Sequence, residues 1–302
     1  GQSHLMAQTS NSPTQIVCAG SSGEPYLIPA TSQNASSTFQ WTLSGGGAIV
    51  SGQGSNAITI DWGIVVGGPH ILEVIESNGG CTSTLVTLDI TIVDAPTANA
   101  GANGDVCVGD IYSLSAATAT NQVSVLWTTS GDGTFTNASA TSLNPDYTPG
   151  VLDIAAGTVD LTLTATGTAP AGSACATSIS TLTLTIHQVP TANAGSNDNV
   201  CAGSNYTLSA TFANGTGAWT TSGDGVFGNN EDPITTYTPG PDDLVNGLVT
   251  LSLQAVGDAP CNNLAVSSID LFINGEITVF AGADAAICES DNFYLISDAS
   301  IT

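Results

Sequence analysis

The sequence predicts an all-β chain of tandem β-sandwich modules arranged as an extended rod. Three observations carry this. Apolar and polar residues alternate with period two in LTLTATG (161–167), TLTLTI (181–186), LVTLSLQAV (248–256) and LVTLDITIV (85–93). Gly and Pro clusters interrupt these runs at roughly 8–12-residue spacing, which suits short strands and tight turns. The same motifs then recur along the chain in a fixed order, the mark of a repeat architecture.

The repeat is read directly. APTANAGANGDVCVGDIYSLSA is followed by VPTANAGSNDNVCAGSNYTLSA, VLWTTSGDGTF (125–135) by GAWTTSGDGVF (217–227), and YTPGVLDIAAGTVDLTLTATG (147–167) by YTPGPDDLVNGLVTLSLQAVG (237–257). An earlier stretch is a cousin of these, with FQWTLSGGGAIVSGQGSNAITIDWG (39–63) and HILEVIESNGGCTSTLVTLDITI (70–92). Residues 280–302 restart the pattern. The boundaries expected from this are a tail or cloning residue at 1–13, modules at 14–94, 95–188 and 189–275, and the start of a fourth module at 276–302. About seven short strands per module indicate Ig-like sandwiches. SGDGTF, AIVSGQG and SNGGC read as hairpin turns, and no stretch carries a helical apolar face. Trp41, Trp127 and Trp219 recur in matching strands and are expected in the cores. Pro96 and Pro190 stiffen the short linkers.

Composition narrows the function. The 302 residues include 25 Asp and Glu, three His and no Lys or Arg, for a formal charge of −25. Without cationic side chains the chain cannot neutralise nucleic-acid phosphates or an anionic bilayer surface. A P-loop Lys, a Schiff-base Lys and an Arg clamp are equally excluded. Mean hydropathy is +0.23, so the charge does not imply disorder. No apolar run approaches the ~20 residues of a membrane span, and no direct membrane insertion is expected. The opening GQSHLMAQTS has no basic or apolar signal region, so a signal is expected to have been removed or left out.

The seven cysteines are Cys18, Cys81, Cys107, Cys175, Cys201, Cys261 and Cys288, with successive gaps of 63, 26, 68, 26, 60 and 27. The economical pairing is one disulfide per module: Cys18–Cys81, Cys107–Cys175 and Cys201–Cys261, with the partner of Cys288 beyond Thr302. Each would staple the start of a module to its own last hairpin. Disulfides place the chain in an oxidising, extracytoplasmic compartment.

Catalytic sets are not visible. His4, His70 and His187 do not recur between modules and adjoin no nucleophile motif, so no enzyme activity and no cofactor are expected. The carboxylates raise the question of calcium, a hard cation that takes oxygen ligands. Its candidates are Asp132 and Asp224 in the SGDG turns, and Asp153, Asp242 and Asp243 after YTPG. The plainer reading is that Asp132 and Asp224 satisfy turn backbone and that the other candidates are solvated.

The order PTANAG, Cys, YxLSA, WTTSGDGxF, YTPGxxD, LTLTATG resembles the tandem repeats of SprB-type gliding-motility adhesins, large surface proteins of Bacteroidetes exported by type IX secretion. Residues 96–273 carry it in two copies. Residues 14–93, with WTLSGGG and ITIDWG, are similar to the PKD-like Ig-type modules found beside such repeats. The resemblance implies a stalk or filament segment of a cell-surface adhesin, serving attachment or gliding. Its implied partners are neighbouring repeats of the same chain and surface polysaccharide or other surface proteins. A glycan- or surface-polymer-binding module, or accessory repeats of a secreted enzyme, are the alternatives.

Overall fold

A computed structural model describes residues 4–5, 14–29, 36–275, 279–280 and 300–301. Three separate apolar cores organise them. In the first module one sheet runs in the order His4–Leu5, Glu24–Leu27, Ala57–Trp62, Gly47–Ser51. The other runs Thr14–Cys18, Val86–Val93, Gly67–Asn78, Thr38–Leu43, with Cys81–Thr82 added beside Gly67–Asn78. Tyr26, Ile60 and Trp62 from the first sheet meet Trp41, Leu72 and Ile90 from the second in one core. The strand at residues 4–5 pairs in parallel with Glu24–Leu27, so part of the expected tail belongs to the module.

The second and third modules share one plan. Four strands form the larger sheet: Gly104–Cys107, Thr177–His187, Thr158–Thr166 and Ser124–Thr129 in the second, and Asp198–Cys201, Leu264–Asn274, Leu248–Gly257 and Gly215–Thr221 in the third. Three short strands form the smaller sheet, Tyr112–Ser113, Asp146–Thr148 and Thr134–Thr136, and then Tyr206–Thr207, Thr236–Thr238 and Val226–Phe227. Period-two alternation is why the larger sheets work. Val159, Leu161, Leu163 and Ala165 are buried, while Thr158 and Asp160 face out. Trp41, Trp127 and Trp219 are each buried to within 2%. Nε1 of Trp41 donates to the Ser55 carbonyl and Nε1 of Trp127 to that of Leu143.

The outward faces carry no Lys or Arg. Hydroxyls meet across strands instead, Thr162 with Thr181 at 2.9 Å and Ser252 with Ser268 at 2.8 Å. Thr183 and Thr250 donate to Asp160 and Asp270. Such cross-strand pairs stabilise a sheet by a few tenths of a kcal/mol up to about 1 kcal/mol each.

Two expectations need correction here. SGDG is not a hairpin turn: Ser124–Thr129 pairs with Thr158–Thr166, whereas Thr134–Thr136 pairs with Asp146–Thr148, so the turn carries the chain from one sheet to the other. AIVSGQG and SNGGC do join paired strands. Helix also occurs, as α1 (Val151–Ala156) and α2 (Pro241–Asn246). Their signal is end chemistry, not an apolar face. Each has Gly before the first turn, Asp at its third position, and a left-handed Gly after the last turn, Gly157 or Gly247.

The chain divides into two compact units, Gly1–Ile186 and His187–Thr302. The first holds the first two modules and the second holds the third. In the expected fourth module, Val279–Phe280 pairs with Ser300–Ile301. The rest of that stretch, Cys288 included, lies outside the described residues.

Candidate functional site

The repeated motifs converge on one side-chain lock per module. YTPGxxD puts a tyrosine six residues before an aspartate, and α1 turns that aspartate back beneath the tyrosine. Tyr147 Oη donates to Asp153 Oδ2 at 2.6 Å, and Tyr237 Oη to Asp243 Oδ2 at 2.6 Å. The same Asp153 oxygen accepts the N–H of Gly133 at 3.1 Å and of Gly150 at 2.9 Å, and Oδ1 accepts the Asp132 N–H at 3.1 Å. Asp243 accepts from Gly225 and Gly240 in the same way. Both carboxylates are buried.

The turn aspartate answers in the other direction. Asp132 Oδ1 accepts the N–H of Leu152 and of Asp153, the first-turn donors of α1. Asp224 does the same for Asp242 and Asp243. Gly150 and Gly240 have no side chain to cap the helix, so the SGDG turn supplies the cap from about 20 residues away in the chain. Thus WTTSGDG and YTPGxxD are two halves of one joint, which ties the sheet crossing to the helix. Thr129 and Thr221 complete it, each at hydrogen-bonding distance from the tyrosine hydroxyl.

Four of the five calcium candidates, Asp132, Asp153, Asp224 and Asp243, are brought together in pairs, while Asp242 is exposed on the outer side of α2. N–H and O–H donors face the paired carboxylates. A calcium shell needs six to eight oxygens, and among the described residues no group of three or more His, Cys, Asp or Glu is placed to hold a metal ion. Tyr147 and Tyr237 are the functional residues missed by the sequence reading. The constant Y-T-P-G-x-x-D spacing was their signal.

Burial pushes the Tyr147 hydroxyl up, and its bond to Asp153 pushes it further, to about 12. Tyr237 is raised to about 12 for the same two reasons. Burial also pushes Asp153 up, but the Tyr147 hydroxyl and the N–H groups of Gly150, Asp132 and Gly133 outweigh it and hold the carboxyl below its ordinary value. The signs set a pH window. The Asp153 contribution is fully present above the unfolded value near ~4 and is lost as pH falls through the lower folded value. The tyrosine contribution is fully present below ~10 and is lost as pH rises from there through about 12. Melting followed against pH should therefore show an alkaline decline across that interval. Tyr147→Phe with Tyr237→Phe should shrink the decline. Some of it should remain, because Tyr206 is also raised, by burial and by its bond to Asp198.

The joint is tight. A Cβ on Gly131 would lie 1.5 Å from Asp153 Oδ1, and one on Gly223 would lie 1.6 Å from Asp243 Oδ1. Gly131→Ala must push the carboxylate off its donors, and we expect a loss of about 3 kcal/mol in urea unfolding. An unchanged midpoint would show that the joint does not hold the module.

The cysteines differ from every within-module pairing expected for 18–261. Cys18 is bonded to Cys175, 157 residues away in the sequence, with Cα atoms 5.7 Å apart. Cys107 and Cys261 are also disulfide-bonded. Cys81 and Cys201 are free and exposed. Strand direction is the physical reason. Thr14–Cys18 runs parallel to the last strand of its module and sets Cys18 beside Val93, at that strand's far end. Cys81 precedes the near end, Val86. The length of that strand, about 23 Å at ~3.3 Å per residue, separates them, and a disulfide tolerates roughly 7 Å between Cα atoms. The third module repeats this, with Cys201 beside Asn274 and Cys261 before Leu264.

Cys175 instead meets Cys18 at the junction. A Cβ on Gly167 would touch Pro96 of the linker at 3.0 Å, and Ala98 N–H donates to Ser178, so the loop carrying Cys175 folds onto the start of its own module. A cleft of about 340 Å³ lies beside the bond, lined by Ile16, Ser21 and Glu24 from the first module and by Pro170, Gly172 and Ser173 from the second. A second, open groove of about 710 Å³ lies wholly in the first module, among Gly46, Trp62, Val65, Val66 and His70. His187 ends the last strand of the second module. The side chain of His4 lies outside the described residues.

Residues 5–91 match a family described as PKD-like domain. No curated protein sequence matches the chain. Among solved structures the chain is similar to the immunoglobulin domains 1–4 of Sidekick-1, at 14% identity and TM-score 0.38, over 88% of this chain and 75% of that one. It is similar to the human desmocollin-1 ectodomain, at 12% and 0.38, over 90% and 62%. It is also similar to domains EC1–4 of Drosophila N-cadherin, at 14% and 0.37, over 89% and 75%.

Proposed function

We propose that the chain is a load-bearing segment of a large extracellular adhesin, built from tandem sandwich modules and serving attachment or gliding at a bacterial surface. One observation carries the reading: the Cys18–Cys175 bond joins two successive modules and not the two ends of one. A within-module staple stabilises a domain. A bond across a junction makes the connection between domains covalent twice over, and so suits a chain that must transmit tension. Disulfides form in oxidising compartments outside the cytoplasm, and among the described residues no helix is long and apolar enough to cross a membrane.

The absence of Lys and Arg fits the same role. A surface of one sign discourages pairing between exposed strand edges of neighbouring filaments. The PKD-like match over residues 5–91 and the PTANAG…WTTSGDG…YTPGxxD repeats support a SprB-type, type IX-exported parent. Its partners would be adjoining repeats of the same chain, with surface polysaccharide or other surface proteins contacted elsewhere in the parent. Antibody raised against this chain and applied to intact cells tests the proposal. Label along surface filaments, moving over the cell, is the expected result. Label confined to the culture fluid would overturn it in favour of a secreted enzyme's accessory repeats.

A further inference from the structure

The unpaired thiol of Cys201 occupies a position that is bonded in both earlier modules. In all three modules the first strand of the larger sheet ends on a cysteine followed by a left-handed glycine at the second next residue, Gly20, Gly109 or Gly203. In each the residue three after the cysteine donates its N–H to the cysteine carbonyl: Ser21 at 3.2 Å, Asp110 at 3.0 Å and Ser204 at 3.1 Å. Cys18 and Cys201 also share a parallel pairing beside the end of their module's last strand, opposite Val93 and Asn274. Cys18 uses that place to reach the loop before the last strand of the following module. Cys107, in the same place, is bonded and buried. Cys201 alone of the three is free and exposed.

The loop that receives such a bond is equally regular. Cys175 and Cys261 both precede their module's last strand, and both are buried and bonded. Each loop lies against its own module's start. A Cβ on Gly257 would meet Pro190 at 3.0 Å, as one on Gly167 would meet Pro96. At the junction of the first two modules, the first thus presents a first-strand cysteine and the second a late-loop cysteine.

We propose that Cys201 is an inter-module crosslinking site, whose partner is the late-loop cysteine of the module that residues 280–302 begin. The step of 157 residues between Cys18 and Cys175, taken from Cys201, runs beyond Thr302. The thiolate of one cysteine attacks a small-molecule or enzyme disulfide and expels one carrier thiolate, and the second cysteine thiolate attacks the cysteine sulfur of the mixed disulfide and expels the other. One Sγ–Sγ bond forms, and two electrons and two protons leave on the reduced dithiol. The site rests on the reading of the chain as a tandem array, but not on its location at a cell surface, so the labelling experiment and the one that follows fail separately.

The test is disulfide mapping of the secreted protein, with thiols blocked at acid pH and the chain cut by pepsin, since trypsin has no site. The Cys201 peptide is expected to be joined to a peptide from outside residues 1–302, whose cysteine precedes the last strand of the next repeat. In the 302-residue chain alone, a maleimide should label Cys201 without reductant and leave Cys18 and Cys175 unlabelled. A blocked, unbonded Cys201 in the secreted protein would overturn the proposal. So would a bond from Cys201 to Cys81, Cys261 or Cys288, or a parent chain with no cysteine in that later loop.

Discussion

Pulled by its two ends, the chain should gain up to about 550 Å of extension when reductant is added. The bond between Cys18 and Cys175 closes a loop with a sequence separation of 157 residues. Tension reaching Cys18 passes through the sulfur bridge to Cys175, and while the bridge holds those two residues cannot separate. Both hydrophobic cores can then open without the chain lengthening by their full contour. At ~3.5 Å per extended residue the hidden length is about 550 Å. Replacing Cys18, Cys107 and Cys261 by Ser should remove the shielding of this loop without reductant. Equal extension with and without reductant would mean that the bond does not carry load, and the mechanical reading would go with it. Had each module been stapled within itself, every junction would have stayed a single backbone strand.

Asp153→Ala should be the most damaging single substitution at a polar residue in the second module, at about 4 kcal/mol or more. It leaves the Tyr147 hydroxyl and the N–H groups of Asp132, Gly133 and Gly150 without their acceptor. An unsatisfied buried donor costs about 1–3 kcal/mol. Asp153→Asn should cost less, since its amide oxygen keeps part of the acceptor set while its NH₂ group faces donors. Asp132→Ala removes only a helix cap and should cost about 1 kcal/mol. Asp242→Ala, exposed on α2, should change little. Urea unfolding of the four variants gives the order directly. If Asp132 and Asp153 proved equal, the buried carboxylate would not be the centre of the joint. The same series at Asp243 and Asp224 tests the third module.

Much of this chain is legible without coordinates. Period-two runs determine the strands because side chains alternate across a sheet, and Thr at every second place marks the outward face. The repeated PTANAG, WTTSGDG and YTPG motifs mark matching strands and turns, and the missing Lys and Arg exclude whole classes of ligand. Trp41, Trp127 and Trp219 could be placed inside from their recurrence in apolar strands.

Two features were decided only in three dimensions. The cysteine spacing fits a bond within each module as well as it fits a bond to the next, because regular repeats make both separations regular. The choice turned on the first strand running parallel to the last, which puts Cys18 and Cys81 at opposite ends of one strand. Sequence periodicity is blind to strand direction. The aspartates were visible as residues, but their role was not. Asp132 and Asp153 lie 21 residues apart in the chain and meet only when the SGDG turn and α1 fold together. Local pattern determines which face of a strand is buried; which turns and which thiols come within reach depends on topology.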